Sequence, residues 1–416
     1  FNTFLLLPRT SFRRFQYLLV LIYTIGEINK DPEILPNVTL GYHIFDSCDN
    51  AEKSLEGTFS ILSGTQQLIP NYSCWNNGKV VGFIGDLSSV SSLSIAWLAG
   101  IYRTIPDELS ELKVIVKLIK HFGWKWVGLI VSDDETGLRA GENLEREMKI
   151  RGICLAFFII INNGLLASTD SIEIKEILVR STANVIVILA SLMNVDFFLF
   201  FFAVFDMPEK LWILSSTFLK VLRVAYPQNR KTFNGVLVVS YQRGEIPGFK
   251  EFIYGLDPTE YKEEYLMGFT RQYTQWPSRS INCTWIKNWQ VTLKAEEIYK
   301  HILSNGRISY GVYTAVYTMA LALHKLNVDH DAPLSFLCFQ LNAMMQSKDF
   351  ESITGDKPHL KANRDSSNFY EILKCLFLKE GGVQVVKVGS FDTTKPAGNQ
   401  LHIDESDDLW GPYFTK

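Results

Sequence analysis

Long hydrophobic runs, closely spaced cysteines and an excess of charge of one sign are all missing from this sequence, and each absence removes a class of function. The longest apolar stretches, YLLVLIYTI (17–25) and FFLFFFAVF (197–205), reach about half of the ~20 residues a helix needs to cross a bilayer. Lys and Arg number 41 against 44 Asp and Glu, a net charge of −3. The two signs alternate along the chain, so no basic field exists to draw in nucleic acid. Six cysteines, Cys48, Cys74, Cys154, Cys283, Cys338 and Cys375, stand far apart. They make neither a zinc site nor a small disulfide scaffold. A phosphate loop, a dinucleotide fingerprint, a nucleophile elbow and an HExxH pair are likewise absent. No enzyme, cofactor or metal is therefore expected. Asp133 and Asp134 could in principle form an acid/base pair or ligate a metal, but acidic residues at a helix N-terminus have a simpler electrostatic reason to be there.

What is present is the alternation of a parallel α/β protein. At 416 residues the chain exceeds the size at which a single core usually splits, so two domains are expected. Short apolar runs read as buried strands: VVGFIG (80–85), WVGLIVS (126–132), NVIVILA (184–190), LWILSS (211–216), GVLVVSY (235–241) and VVKVGSF (385–391). Helical spacing appears over 107–122, 137–151 and 308–326. Arg9, Arg13 and Arg14 before the run at 17–25 resemble a signal peptide, but no small-residue cleavage site follows. The run continues into Gly26–Lys30 as a first core helix. The phenylalanine run at 197–205 reads either as a buried helix or as an unusually apolar surface.

Parallel sheets place ligand contacts at the carboxyl ends of their strands. Asp86–Ser89, Ser132–Thr136 and Ser215–Thr217 therefore deserve inspection. One interval breaks the pattern: a helical stretch from Ser88 to Gly100 runs into Tyr102-Arg103-Thr104-Ile105-Pro106 and a second helix, with no strand to complete the crossover between them. Three triplets are acceptors for N-linked glycans, beginning at Asn37, Asn71 and Asn282, and favour a secreted chain.

The segments LPNVTLGYHIFDSC (35–48), IPNYSC (69–74), VVGFIGDLSS (80–89), YRTIPDELS (102–110), HFGWKWVGLIVSDDETG (121–137), GEIPGFKEFI (244–253), ISYGVYTAVYTMALALHKL (308–326) and VVKVGSF (385–391) come in the order of the landmarks of the extracellular domain of type-2 vomeronasal receptors. These are class C G-protein-coupled receptors, and the chain resembles them over most of its length. The resemblance implies an α/β, two-lobed, periplasmic-binding-protein-like clamshell. Lobe 1 would comprise 1–105 and 244–365, lobe 2 would comprise 106–243 and 366–400, and 401–416 would be a tail leading to an absent cysteine-rich linker. The implied function is capture of a small amino-acid-like or peptide ligand in chemosensory (pheromone) signalling. The receptor would work as a homo- or heterodimer on the outer face of the plasma membrane, reaching a G protein through an absent seven-helix domain.

Residue by residue, the resemblance assigns a ligand carboxylate to Ser89, with Ser88 beside it, and a ligand ammonium to Glu108. Thr136 and Ser216 stand where relatives carry an aromatic and an acid, so a stacking face and a charge are lost there. At Ile101–Tyr102 a strand and loop of lobe 1 are missing, and with them further ligand contacts. Such a loss would cost more than the ~5–15 kcal/mol stability of a typical domain unless the sheet re-pairs. A truncated or pseudogene-derived chain without a competent site is the alternative. The resemblance also implies that Cys48 pairs upstream of Phe1, that Cys154 pairs with the linker, and that Cys74 lies in a loop that bridges subunits in some relatives.

Overall fold

The computed structural model describes residues 12–45, 50–64, 80, 82–85, 92, 95, 108–161, 170–191, 194–205, 207–219, 222, 229–241, 244–255, 306–326, 340–341, 344, 369–378, 382–393 and 395–404. Two compact units share the chain. One is drawn from Phe1–Leu87, Ser91–Ile105 and Arg243–Pro358, the other from Ser88–Val90, Pro106–Gln242 and His359–Lys416.

In the first unit the described elements are helices: α1 (Phe12–Ile28) and α2 (Ala51–Ser63), and two further helices from beyond residue 243. Helix α1 buries Leu19, Val20 and Ile28 and packs on the helix at Gly306–Leu326, as expected of a core helix. The Tyr23 hydroxyl donates to the Pro247 carbonyl at 2.6 Å. Asn50 caps α2 by accepting from the Lys53 N–H at 3.1 Å, a side-chain oxygen satisfying one of the open donors of the first turn. The run at 80–85 departs from expectation, because its described residues, Val80 and Gly82–Gly85, form no strand. An extended run becomes a strand only beside a partner that takes up its backbone hydrogen bonds. Gly82 lies instead against Met319, whose sulfur would stand 2.8 Å from any β-carbon there.

The second unit carries all the strands of the described residues. Helix α3 (Glu108–His121) leads into β1 (Trp126–Ser132), α4 (Glu135–Ile150), β2 (Cys154–Ile161), α5 (Asp170–Arg180) and β3 (Val185–Leu189). Helix α6 (Val195–Val204), β4 (Leu211–Leu214), a 3-10 turn at Ser216–Phe218, α7 (Asn229–Phe233) and β5 (Val236–Tyr241) follow. After the first unit's α8 (Phe249–Tyr254) and α9 (Gly306–Leu326), the chain returns as β6 (Phe369–Phe377), β7 (Val383–Asp392) and β8 (Leu401–Ile403). They form one sheet in the order β2-β1-β3-β4-β5-β6-β7-β8. The pairs among β1 to β5 are parallel and those from β5 to β8 antiparallel.

Both faces of the parallel strands are apolar, because side chains alternate with period two and each face is covered by helices. Leu129, Val187, Ile213 and Leu237 face α3 and α4, while Ile130, Ile188, Trp212 and Val238 face α5 and α6. The phenylalanine run is the buried helix of the two readings. Phe198, Phe201 and Phe202 are fully buried in α6, and Phe202 meets Trp212 and Phe233 edge-on.

Strand β2 was not anticipated from its CLAFFIII run, and neither was β6. The stretch expected to be a tail from 401 begins instead with β8, whose register pairs Phe391 with Leu401 and Gly389 with Ile403. Burial of Ile403 against α3 and the sheet gives this short segment a reason to join.

Candidate ligand-binding site

The second unit's strand order turns back on itself at β1, which has β2 on one side and β3 on the other. At such a switch point the connections leave in opposite directions and open a crevice at the carboxyl ends of the strands. The residues there are polar and tied to one another. Ser132, fully buried at the end of β1, accepts at Oγ from the Ser191 N–H at 3.2 Å. Asn194 donates from Nδ2 to Ser191 Oγ at 3.2 Å and to Asp134 Oδ2 at 2.6 Å.

Asp134 also caps α4, its Oδ1 accepting from the Gly137 N–H at 2.9 Å. One carboxylate thus satisfies an open helix donor and complements the helix dipole. Gly137 is required at this point, because a β-carbon there would stand 2.4 Å from the Ser132 carbonyl oxygen. The head of α4 is thereby pressed onto the end of β1.

On the other side, Thr217 donates to the Ala190 carbonyl at 3.1 Å. Its oxygen lies 2.6 Å from Ser215 Oγ. A hydroxyl has one hydrogen, so with Thr217 committed to Ala190 the Ser215 hydroxyl is the donor of that pair. The Ser216 N–H donates to Glu111 Oε1 at 2.8 Å and the Ser216 hydroxyl to Glu111 Oε2 at 3.0 Å. Glu111 is 4% exposed, and burial raises its carboxyl to about 7 against the lowering effect of the two bonds from Ser216. Hydroxyls, a carboxamide and two carboxyls therefore ring the ends of β1, β3 and β4, half-buried at Asp134, Ser191, Asn194, Ser216 and Thr217. Among the described residues no group of His, Cys, Asp and Glu has a metal-binding arrangement.

A model of the receptor family ligand binding region matches residues 16–374 of this chain. The chain belongs to that family. It is similar to the extracellular calcium-sensing receptor of Sus scrofa, 26% identical over 480 residues that cover 97% of this chain and 44% of the relative. It is similar as well to vomeronasal type-2 receptor 26 of Mus musculus, 27% identical over 460 residues, 97% of this chain and 51% of the relative. Taste receptor type 1 member 1 of Mus musculus matches at 26% over 334 residues, 73% of this chain and 38% of the relative. These relatives are class C G-protein-coupled receptors. The chain spans about half the length of the curated relatives it matches. The receptor family's ligand-binding region is periplasmic-binding-protein-like, in keeping with the doubly wound sheet of the second unit.

Of the residues that sequence reasoning assigns to the ligand, Ser88, Ser89 and the Glu108 side chain lie outside the described residues, as do Ile101–Tyr102, Asn71, Asn282, Cys48 and Cys74. Thr136 lies half-buried in the first turn of α4 and Ser216 at the end of β4, on the same edge of the sheet. Asn37 is exposed in the turn after α1, Cys154 is exposed at the start of β2 and Cys375 is buried in β6. Asp133 is exposed, whereas Asp134 is the helix cap.

Glu111, Ser191 and Asn194 are the residues that sequence reasoning missed. Ser191 and Asn194 follow the run at 184–190 and were open to the same strand-end rule that singled out Ser215–Thr217. Glu111 offered only one signal, an acid among the apolar positions Leu112, Ile115 and Val116 of an amphipathic helix.

Proposed function

We propose that this chain is the extracellular ligand-capture region of a chemosensory class C receptor, closing on a small amino-acid-like or peptide ligand to drive a seven-helix domain through a receptor dimer. The observation that carries the reading is the ring of hydrogen-bonded groups at the switch point, Asp134, Ser191, Asn194 and Ser216, with Thr136 half-buried on the same edge, in a family defined by ligand binding. Such clefts use a few placed polar groups to orient a ligand. In this reading the chain is a binding module and not an enzyme, lies outside the cell, and carries its glycan at Asn37. In this reading Ser88, Ser89 and Glu108 are further ligand contacts.

Thermal unfolding of the secreted chain with free L-amino acids and short peptides tests it. A ligand at one hundred times its Kd stabilises by about 2.7 kcal/mol, and Thr136→Ala or Ser216→Ala would weaken that response. The reading fails if no probe of this class shifts the transition, or if both variants respond as the parent does.

A second reading, a non-signalling chain without a competent site, draws on two observations. The described residues of the run at 80–85 form no strand, and the alignment to the calcium-sensing receptor, 480 residues long, exceeds the chain's 416, so positions of the relative have no counterpart here. Calorimetry separates the two. A single transition of the size of the second unit alone would support the second reading, and cooperative unfolding of the whole chain would exclude it.

A further inference from the structure

We propose that Glu111 sets the hydrogen-bonding polarity of Ser216, making the end of β4 an acceptor for a ligand N–H while the carboxylate is ionised and a donor once it is protonated. The inference rests on the ligand-capture reading for its consequence, but the coupling of the two residues stands without a ligand.

The argument is one of hydrogen counting. Ser216 has two donors, its N–H and its O–H, and both go to the same carboxylate. What the hydroxyl retains is lone pairs, so toward any third group Ser216 accepts and does not donate. A primary amine or an amide N–H meets that requirement, and a ligand carboxylate does not. The Glu111 charge, one bond behind the hydroxyl, favours a cation at the same place and is poorly screened where the side chain is buried. When Glu111 takes up a proton on Oε2, its new O–H points at the oxygen bonded there, Ser216 Oγ. The serine hydrogen is released outward and Ser216 becomes a donor.

Among the described residues no charge reaches Glu111 from the elements around it. Along α3, Lys113 and Lys120 are exposed and Lys117 is half-buried with its Nζ donating to the Ala397 carbonyl. The face that α4 buries is made of Gly137, Ala140, Gly141, Leu144 and Met148. Strand β5 buries Leu237 and Val239 and ends on Tyr241, while β8 turns Ile403 inward and leaves His402 exposed. Burial and Ser216 therefore set the titration between them, and it falls near neutrality. A carboxyl with a midpoint of about 7 goes from about one-tenth to about nine-tenths ionised between pH 6 and 8, so an amine ligand held by Ser216 should bind about tenfold more tightly at the higher pH. Glu111 is a positioning residue in this scheme, acting through Ser216.

The test uses the whole chain with serine labelled by 15N, followed by NMR from pH 5 to 9. The Ser216 amide signal should titrate with a midpoint close to 7. In Glu111→Gln, whose amide donates permanently and mimics the protonated acid, it should not. Titration with a mixture of L-amino acids, and with the same mixture N-acetylated, adds the ligand arm. The parent should prefer the free amines by a ratio that rises about tenfold from pH 6 to 8, and Glu111→Gln should show a low and flat ratio while Glu111→Asp restores part of the slope. A Ser216 signal that does not titrate, or titrates equally in Glu111→Gln, overturns the inference. If the Ser216 signal titrates in the parent alone and no amino acid binds at any pH, the coupling is upheld and the amino-acid reading of the site is what fails.

Discussion

Asn194 donates to Asp134 Oδ2 at 2.6 Å, and Asp134 Oδ1 in turn holds the first turn of α4. The bond joins the connection after β3 to the connection after β1 across the switch point, so the two loops are tied to each other there. Removing the carboxylate costs both roles. Asp134→Ala should destabilise by about 1–3 kcal/mol, a lost cap plus one lost bond from the Asn194 carboxamide, whereas Asp134→Asn keeps an oxygen for Gly137. In urea denaturation, Asp134→Ala and Asn194→Ala should be less than additive, since each already breaks the bond they share.

The approach of α4 to β1 leaves no room at Gly137. Gly137→Ala would place a β-carbon 2.4 Å from the Ser132 carbonyl oxygen, backbone that cannot rotate away. The expected loss is about 2–3 kcal/mol or more, at the upper end of the cost of overpacking. A β-carbon at Gly152 would meet nothing within 4 Å, so Gly152→Ala is burdened only by its φ of +71° and should cost less. Comparing the two by thermal unfolding isolates the steric part.

Burial raises the Glu111 carboxyl from 4.5 to about 7, so the folded state binds a proton more tightly than the unfolded chain does. Its contribution to stability is then complete below about pH 4.5 and is lost as the pH rises through 7. The contribution is about 3 kcal/mol. Glu111→Gln cannot ionise and should therefore be the more stable protein at pH 8, with the advantage gone near pH 4.5. Melting temperatures across that interval provide the measurement.

Phe202 is 1% exposed and touches both Trp212 and Phe233 at ring-centroid distances of 5.2 and 5.4 Å. Phe202→Ala should cost about 3–5 kcal/mol through lost burial and the cavity it leaves. Phe202→Leu should cost less, since it fills most of the volume. Equilibrium unfolding in urea measures the difference between the two variants.

Asn37 is exposed in a turn, which suits it as the acceptor of a bulky solvated glycan. Expression through a secretory pathway should give a chain whose electrophoretic mobility rises on treatment with an amidase that removes N-glycans. Asn37→Gln should remove one glycan's worth of that shift and leave the melting temperature nearly unchanged.

Periodicity and turn chemistry carried most of the second unit's architecture on the surface of the sequence. The runs at 126–132, 184–190, 211–216, 235–241 and 385–391 are strands in the structure, with ends displaced by a few residues, because fully buried parallel strands must be apolar on both faces. Strand β2 was legible too, since CLAFFIII is an apolar run bounded by Gly152 and by Asn162-Asn163-Gly164, but it lacks the period-two alternation that marks a strand most plainly. Strands β6 and β8 owe their state to partners: β6 pairs with β5 across more than a hundred residues of chain, and β8 is three residues long with too little local preference to announce itself. The reverse failure is the run at 80–85, which has a strand's composition but no ladder among its described residues.

The sequence by itself determined the family, the absence of the familiar catalytic motifs and the places where strands end in hydroxyl and acidic residues, since these depend on residue type, spacing and order alone. Tertiary structure decided which of those residues meet. Glu111 and Ser216 are separated by 105 positions, and Asp134 and Asn194 by 60, and no local rule relates members of either pair. Only the crossover of helices over a parallel sheet brings α3 to the end of β4, and only there does burial turn an ordinary surface-type carboxyl into one that titrates near neutral pH.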